Sequence, residues 1–447
     1  MKPRVPDWLG HLLRRPAAIF GAGVSGRGAA GLIGALGGSS VIYDRASDRP
    51  QLREFGASQA AGHGIVVLSP GFPPSHPWVQ VARAAGCEIL GELDLAALAW
   101  PGEIIAITGT NGKTTLTELL THALRHVGRD ARAVGNVGIA FCDAWRTPAT
   151  RESIAVCEVS SFQAETLRFF EATAALWSNF AEDHLERHLT MEGYFRAKYT
   201  LVKRTRGRVV FHGPSVHSAA REFSCELPVD RCVPFEGIAV DARLEPTVFG
   251  RAPQRENFLL LRALWRHLGL DEEKLIEAVL SFRLGGHRLA RVAEIRGAAF
   301  WNDSKGTNFH AVEAALGGFE RPVLWIGGGR AKGGDIAAFA GRIAPRLRRA
   351  FVIGETRDIL AESFRRLAVP VVVCDSLRDA VVQARDAAVA GDHVLLSPGF
   401  ASFDMFKGYD DRGRQFEAIV ADLAREARES RTASKTSPSV PETLSLL

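Results

Sequence analysis

The chain has 447 residues, 46% of them hydrophobic and 23% charged, with a formal net charge of +5. That length suggests two to four domains, with an ordinary soluble globular composition. It excludes several classes: no stretch nears the roughly 18 apolar residues of a membrane span, no long Lys/Arg block marks a nucleic-acid binder, and six cysteines without a Cys-x-x-Cys pair fit a reduced cytoplasm better than a disulfide framework.

From the N-terminus, strand and helix patterns alternate. Residues 17–20 predict a short apolar strand, too short before Gly21 to be the core of a secretion signal. A small-residue helix follows, then strands at 41–43 and 65–68; such alternation predicts a parallel sheet with crossover helices. Residues 104–107 predict a buried strand. After it Leu116, Leu119, Leu120, Ala123, Leu124 and Val127 recur at helical spacing, closed by Gly128. Strands are expected at 154–156 and 174–177, and this second unit ends near Gly285. In the third unit, apolar runs at 322–326, 350–353, 369–373 and 393–396 predict strands separated by helices. Residues 426–447 are expected to be a disordered tail, because the chain's end is rich in Ser, Thr, Pro and Glu without a periodic apolar face.

The densest chemistry lies between the strand at 104–107 and its helix. Gly109, Thr110, Asn111, Gly112, Lys113, Thr114 and Thr115 form a glycine turn ending in Lys-Thr-Thr at a helix start. Backbone N–H groups and the positive helix end attract phosphate, a lysine neutralises it, and a hydroxyl can join Mg²⁺. The pattern is a variant of G-x-x-x-x-G-K-[ST], since Ile107 takes the first glycine's place.

Other motifs are less specific alone. Residues 21–26 fit G-x-G-x-x-G, and Asp44 follows the next strand at roughly the spacing used for ribose recognition. By itself this reads as a dinucleotide site, another nucleotide's helix end, or a tight turn without ligand. Glu158 follows a predicted strand and either faces a crevice or is solvated. His184 and His188 stand one helical turn apart, but without the glutamate placement of H-E-x-x-H that zinc would favour. Lys198, on a predicted helix, reads as solvated. Polar clusters at 286–288, 302–308, 397–404 and 407–409 fit either loops at a cleft or simple turns.

Taken together, these motifs resemble the Mur ligases, ATP-dependent amide-forming enzymes of peptidoglycan synthesis, from about residue 17 to 420. Residues 302–308 and 397–409 look most like the branch that adds D-glutamate to UDP-N-acetylmuramoyl-L-alanine. The resemblance implies an α/β fold of three domains. A Rossmann-like UDP-substrate domain would span 1–96, a central P-loop ATPase-like parallel sheet 97–285, and a C-terminal Rossmann-like amino-acid domain 286–425. It reassigns the N-terminal glycine loop from NAD to a UDP-sugar. Val24, Ser25, Asp44, Arg45, Ser69, Gly71, Asn136 and Gln163 would bind that substrate. ATP would be held by residues 109–115, Asn257, Arg288 and Asp303. Thr114 and Glu158 match ligands of one Mg²⁺, and Glu158, His184 and Lys198 match the second-metal region. Lys198 would be carbamylated, turning a cation into an oxygen donor suited to a hard cation. Thr307, Lys332, Ser402 and Tyr409 would take the incoming glutamate. Lys113, Glu158, His184 and Lys198 form the expected catalytic set, with His184 positioning or deprotonating a substrate. A cytoplasmic monomer is expected, without nucleic-acid or membrane partners.

Two departures stand out. The family usually has a His-Asn pair before a further Asn in the adenine region, and here residues 253–257 keep only Asn257. Tyr409 stands where an aromatic, often Phe, is familiar. Alternatives on the same fold are a Mur-type ligase for another amino acid and a non-catalytic nucleotide-binding regulator.

Overall fold

The structure is a computed structural model and describes residues 4–49 and 52–436. The chain divides into two compact units, Met1–Ala181 with Arg187–Arg283, and Glu182–Glu186 with Leu284–Leu447.

The first unit carries two parallel sheets. One comprises β1 (Ala17–Phe20), β2 (Ser40–Tyr43), β3 (Ile65–Leu68) and β4 (Glu88–Gly91), in the order β2-β1-β3-β4. The other comprises β5 (Glu103–Thr108), β6 (Ala131–Gly135), β7 (Ile154–Glu158), β8 (Ala174–Trp177), β9 (Val209–Phe211) and β10 (Cys232–Pro234), in the order β10-β9-β8-β5-β7-β6. Strands β1, β3, β7 and β8 are buried along their whole length, and β5 everywhere but Glu103. Such continuous apolar runs suit a parallel sheet covered on both faces. Each buried Ile, Val or Leu contributes about 1.5–3 kcal/mol.

Buried carboxylates join loops within this unit. Glu92, at the start of the helix Glu92–Ala99, accepts the Cys142 N–H at 2.6 Å. Burial pushes its carboxyl up to about 7. Asp94 accepts the N–H groups of Phe169 and Phe170 at 2.9 and 2.8 Å.

The second unit holds a mixed sheet of β11 (Ala290–Ile295), β12 (Ala298–Asn302), β13 (Val323–Gly328), β14 (Leu347–Ile353), β15 (Val371–Val373) and β16 (His393–Leu396). Their order is β11-β12-β16-β13-β14-β15. All pairs are parallel except β11 with β12. That hairpin turns through Arg296 and Gly297, both at positive φ, the conformation that matches the twist of paired strands.

The winding direction switches between β1 and β3 in the first sheet, beside β5 in the second and around β16 in the third. A crevice opens there beyond the strands' C-terminal ends, the usual ligand position in open α/β sheets. The loops leaving β1, β5, β7, β12, β13 and β16 carry most of the residues singled out from sequence. One expectation fails locally. The helix Tyr409–Thr436 runs through the first part of the stretch expected as a tail, where Ala427 and Arg428 favour helix. The rest of that stretch, 437–447, lies outside the described residues.

Candidate active site

In the first unit, β5 ends in the phosphate loop, and the helix Lys113–His126 starts directly behind it. Gly112 sits at φ +82°, and a Cβ there would stand 2.4 Å from Asn257 Oδ1. Glycine is therefore required by conformation and by contact. Asn257 comes from the helix Gln254–His267, is buried, and donates from Nδ2 to Gln254 Oε1 at 2.9 Å. The structure thus brings Asn257 to the loop, with Gln254 engaged beside it.

The loop's own backbone is held open from beneath. Thr110 N–H donates to Asn179 O at 3.0 Å, and Asn111 N–H to Asn179 Oδ1 at 2.9 Å. Thr110 Oγ1 donates to Ala181 O and accepts from Ala181 N. Ser178 Oγ donates to Asn111 O. Lys113 folds back so that its ammonium donates to Gly109 O at 3.1 Å and Thr110 O at 2.9 Å. It lies across the concavity where phosphate would sit. Thr114 is in the first turn of the helix, while Thr115 is buried against the core.

Glu158 ends β7 and is 1% exposed. Its Oε1 accepts from Asn136 Nδ2 at 2.8 Å, while its buried Oε2 has no hydrogen-bond partner. An orphaned carboxylate oxygen inside a protein is costly, and a hard cation would satisfy it. Among the described residues no group of three or more His, Cys, Asp and Glu is placed to hold a metal. That leaves zinc without a ligand set, and both ring nitrogens of His188 are engaged, with Glu165 and Ser161. A sparse set of Thr114 and Glu158 suits Mg²⁺, which keeps several waters and leans on phosphate oxygens.

Lys198 is not solvated, as its helical position suggested. The helix Met191–Lys203 turns it inward, and it is 1% exposed. Its Nζ donates to Gly109 O at 2.7 Å and lies 4.9 Å from the centre of the Tyr194 ring. Sequence spacing placed Lys198 on a helix but not the face it occupies.

The N-terminal loop is built around close approach. A Cβ on Gly26 would lie 1.9 Å from Gly21 O, so the helix Val24–Ala35 can pack on its own turn only through glycine. Asp44 accepts the N–H of Ala22 at 2.7 Å and of Ala46 at 2.8 Å, fixing the turn. Val24 is exposed at the helix start and Ser25 half-buried beside it. Ser69 lies against Gly21 across the β1–β3 crevice, and the Arg45 guanidinium is 5.8 Å from the Trp78 ring centre. Gly71 O accepts from Arg187, while Asn136 is tied to Glu158. Gln163 is buried, and its Oε1 accepts the Ser160 N–H at 2.9 Å in a capping box.

The second unit has its own cluster. Asp303 follows β12; its Oδ1 accepts the Leu289 N–H at 3.1 Å and its Oδ2 the Ser397 hydroxyl at 2.7 Å. Burial pushes its carboxyl up to about 7, against the pull of Ser397, the Leu289 N–H, Arg412 and Arg288. The folded pKa lies above the ordinary 3.8. The neutral acid is thus favoured by folding, and its contribution to stability is full below pH 4 and lost as pH rises through about 7. Melting temperature measured from pH 4 to 8 should fall less steeply in Asp303→Asn than in the parent; parallel curves would contradict this.

Lys332 and Asp183 form an ion pair of 2.7 Å. Asp183 Oδ2 also accepts from Asn308 Nδ2 at 2.9 Å, and Asn308 caps the helix Phe309–Gly317. Burial alone would raise Asp183, but Lys332, His184 and Asn308 bring it down to about 2. The His184 imidazole is lowered by burial, against the pull of Asp183. Thr307, Asn308, Lys332 and Asp183 line one small cavity of about 20 Å³. Ser402 is buried nearby in sequence to Phe400 of that lining, and Tyr409 is half exposed under the Lys305 ammonium. Asp183 and Arg412 were not singled out from sequence. Arg412 is buried and donates to Ser304 O at 2.9 Å and Phe400 O at 3.3 Å, tying the loops after β12 and β16 together. A charged residue in the first turn of a helix otherwise reads as solvent-exposed.

Comparison with known proteins agrees with this arrangement. The Mur ligase middle domain matches residues 107–219, and the Mur ligase glutamate ligase domain matches residues 287–400. The chain is 34% identical over 387 residues to the UDP-N-acetylmuramoylalanine–D-glutamate ligase of Caldicellulosiruptor bescii, covering 80% of this chain and 84% of that one. It is 34% identical over 449 residues to the protein of the same name from Protochlamydia amoebophila, covering 91% and 98%. The fold is similar to that of the MurF ligase of Thermotoga maritima in complex with ADP, with a TM-score of 0.54 and 17% identity over 83% of this chain and 90% of that one. Domain matches across both units and identity along nearly the whole length lead to one conclusion: the chain belongs to the Mur ligase family.

Proposed function

We propose that the protein is the ATP-dependent ligase that joins D-glutamate to UDP-N-acetylmuramoyl-L-alanine in peptidoglycan precursor synthesis. The observation that carries the reading is the phosphate loop with Lys113 folded over it, Glu158 holding an unpaired buried oxygen, and Lys198 beneath Gly109. The two relatives bear the name of this reaction, and the structural neighbour was solved with ADP.

In this reading the alanyl carboxylate attacks the ATP γ-phosphate, breaking the bond to the β-phosphate oxygen and releasing ADP. A carboxylate is a poor electrophile; the acyl phosphate is a good one. The glutamate amine, having lost its ammonium proton, attacks the carbonyl, and phosphate leaves. Lys113 and the loop N–H groups stabilise charge on the transferring phosphoryl group. Mg²⁺, two ions on the family resemblance, offsets phosphate charge when bound. Thr114 and Glu158 would hold one ion, and a carbamate on Lys198 would offer oxygens toward the other. His184's place in the second-metal region rests on the resemblance alone. Burial lowers its pKa, against the pull of Asp183.

Asn257, Arg288 and Asp303 complete the ATP assignment. The residues of the β1–β3 crevice, with Asn136 and Gln163, take the UDP-substrate, and Thr307, Lys332, Ser402 and Tyr409 the amino acid. Domain limits at 96/97 and 285/286 belong to the same reading. So does a cytoplasmic monomer: all six cysteines are buried free thiols, which suits a reducing compartment. Among the described residues no helix is long and apolar enough to cross a membrane.

An amino-acid panel with ATP and UDP-N-acetylmuramoyl-L-alanine, scored by phosphate release, tests the whole reading. D-Glutamate should exceed L-glutamate and every other amino acid by at least about 100-fold, the range a site that hydrogen-bonds its substrate can reach. Preference for another amino acid would move the chain to a different branch. No release with any acceptor would favour a nucleotide-binding regulator.

A further inference from the structure

The cavity of the second unit contains a charge pair that the amino-acid assignment leaves half used. Its walls include Asp183, Thr307, Asn308, Lys332 and Phe400. Lys332 Nζ stands 2.7 Å from Asp183 Oδ1, and the Asp183 side chain is 7% exposed. The Asn308 amide holds the other carboxylate oxygen, and its own Oδ1 accepts the Ala311 N–H at 2.9 Å. Asp183 Oδ1 also accepts the His184 N–H at 3.0 Å, and His184 Nε2 stands 3.7 Å from Oδ2, so Asp183 is fixed by the loops after β12 and β13 and by its own chain neighbour.

Neither member of the pair is saturated by these bonds. The Lys332 ammonium has three donors and spends one on Asp183; the carboxylate has about four acceptor sites, and Lys332, Asn308 and the His184 N–H take three of them. The cavity therefore presents a cation and an anion side by side. An α-amino acid presents the mirror of that pattern, a carboxylate and an ammonium on one carbon. Covalent geometry puts its nitrogen about 3 Å from the nearer oxygen of its own carboxylate, close to the Lys332–Asp183 spacing.

We propose that Asp183 binds the ammonium group of the incoming amino acid while Lys332 binds its α-carboxylate, so that the pair reads the zwitterionic head of the substrate. This rests on the reading of the cavity as the amino-acid site. It adds a recognition element that discriminates amino acids from dicarboxylates of the same length, which Lys332, Thr307 and Ser402 alone would accept. Glutarate is glutamate without the amine, and the pocket must reject it because it cannot react.

The test compares D-glutamate with glutarate on the full chain, in the phosphate-release assay with ATP and UDP-N-acetylmuramoyl-L-alanine. In Asp183→Asn the KM for D-glutamate should rise at least about tenfold, as expected when one partner of a buried charge pair is removed. The inhibition constant of glutarate should change less than about threefold, and the KM values for ATP and the UDP-substrate should hold. A parallel loss of glutamate and glutarate would overturn the proposal, because Asp183 would then act only by holding Lys332. An unchanged KM for glutamate would overturn it too. Should the variant fail to fold, the parent protein decides. 2-Hydroxyglutarate, with a hydroxyl for the ammonium, must compete at least tenfold more weakly than D-glutamate binds, and equal affinity overturns the clamp. If the panel selects another amino acid, the same comparison is made with its deaminated analogue. The clamp can then stand while the choice of glutamate falls.

Discussion

Lys113→Ala is expected to lower turnover on the order of 10³-fold, the loss seen when a preorganised charge donor is taken from a developing anion. UDP-substrate affinity, measured by titration calorimetry, should stay within about threefold of the parent. The division follows from where each group sits. Lys113 opens the helix behind β5, and its ammonium donates to Gly109 O and Thr110 O. The residues proposed for the UDP-substrate lie on other loops: Val24 and Ser25 after β1, Asp44 and Arg45 after β2, Ser69 and Gly71 after β3. Lys113 is partly exposed and packs in no core cluster, so its truncation should leave melting behaviour unchanged. Equal loss of turnover and UDP-substrate binding would contradict the assignment of the β1–β3 crevice.

The sheet framework was legible because its central strands are unbroken apolar runs. Residues 17–20, 65–68 and 174–177 coincide with β1, β3 and β8. The edges were not. β9 and β10 have three residues each, and β10 ends in Pro234, tolerated only where no further strand needs its N–H. β6 is only partly buried, with Arg132 and Ala133 half-exposed in its middle, and carries no apolar run to recognise.

The site divides the same way. The glycine loop is local: turn, lysine and helix start are contiguous, so the motif could be read directly. Asp183 is not local. Its partners Asn308 and Lys332 are 125 and 149 residues away, and nothing in residues 179–188 distinguishes Asp183 from its acidic neighbours. Arg412 was hidden by the same cause, since its acceptors Ser304 and Phe400 come from two other loops. Which face of a helix is buried depends on what packs against it, and for Lys198 that is the underside of the phosphate loop.

Lys198→Ala is the sharper test of that last position. Activity should fall at least about 100-fold, and added bicarbonate should not restore it, since no amine remains to modify. Short carboxylic acids should restore part of it. The reasoning starts from burial. An ammonium held out of water is expensive unless compensated, and Lys198 is 1% exposed with Gly109 O as acceptor at 2.7 Å. When the neutral amine attacks CO₂, an N–C bond forms and a proton leaves. The nitrogen keeps one hydrogen, so the bond to Gly109 O can persist while two new oxygens appear. On the proposed reading the residue would change from a buried cation to an anion with hard donors for Mg²⁺, beside the loop assigned to the ATP phosphates. Truncation to alanine leaves a cavity that packing cannot close, and a small carboxylate can enter it to supply the missing oxygens. A ¹³C-bicarbonate-derived carbamate resonance in the parent, absent from the variant, gives a readout independent of turnover. Full activity of Lys198→Ala without added acids would rule out an essential carbamate and leave the lysine as a strut beneath Gly109.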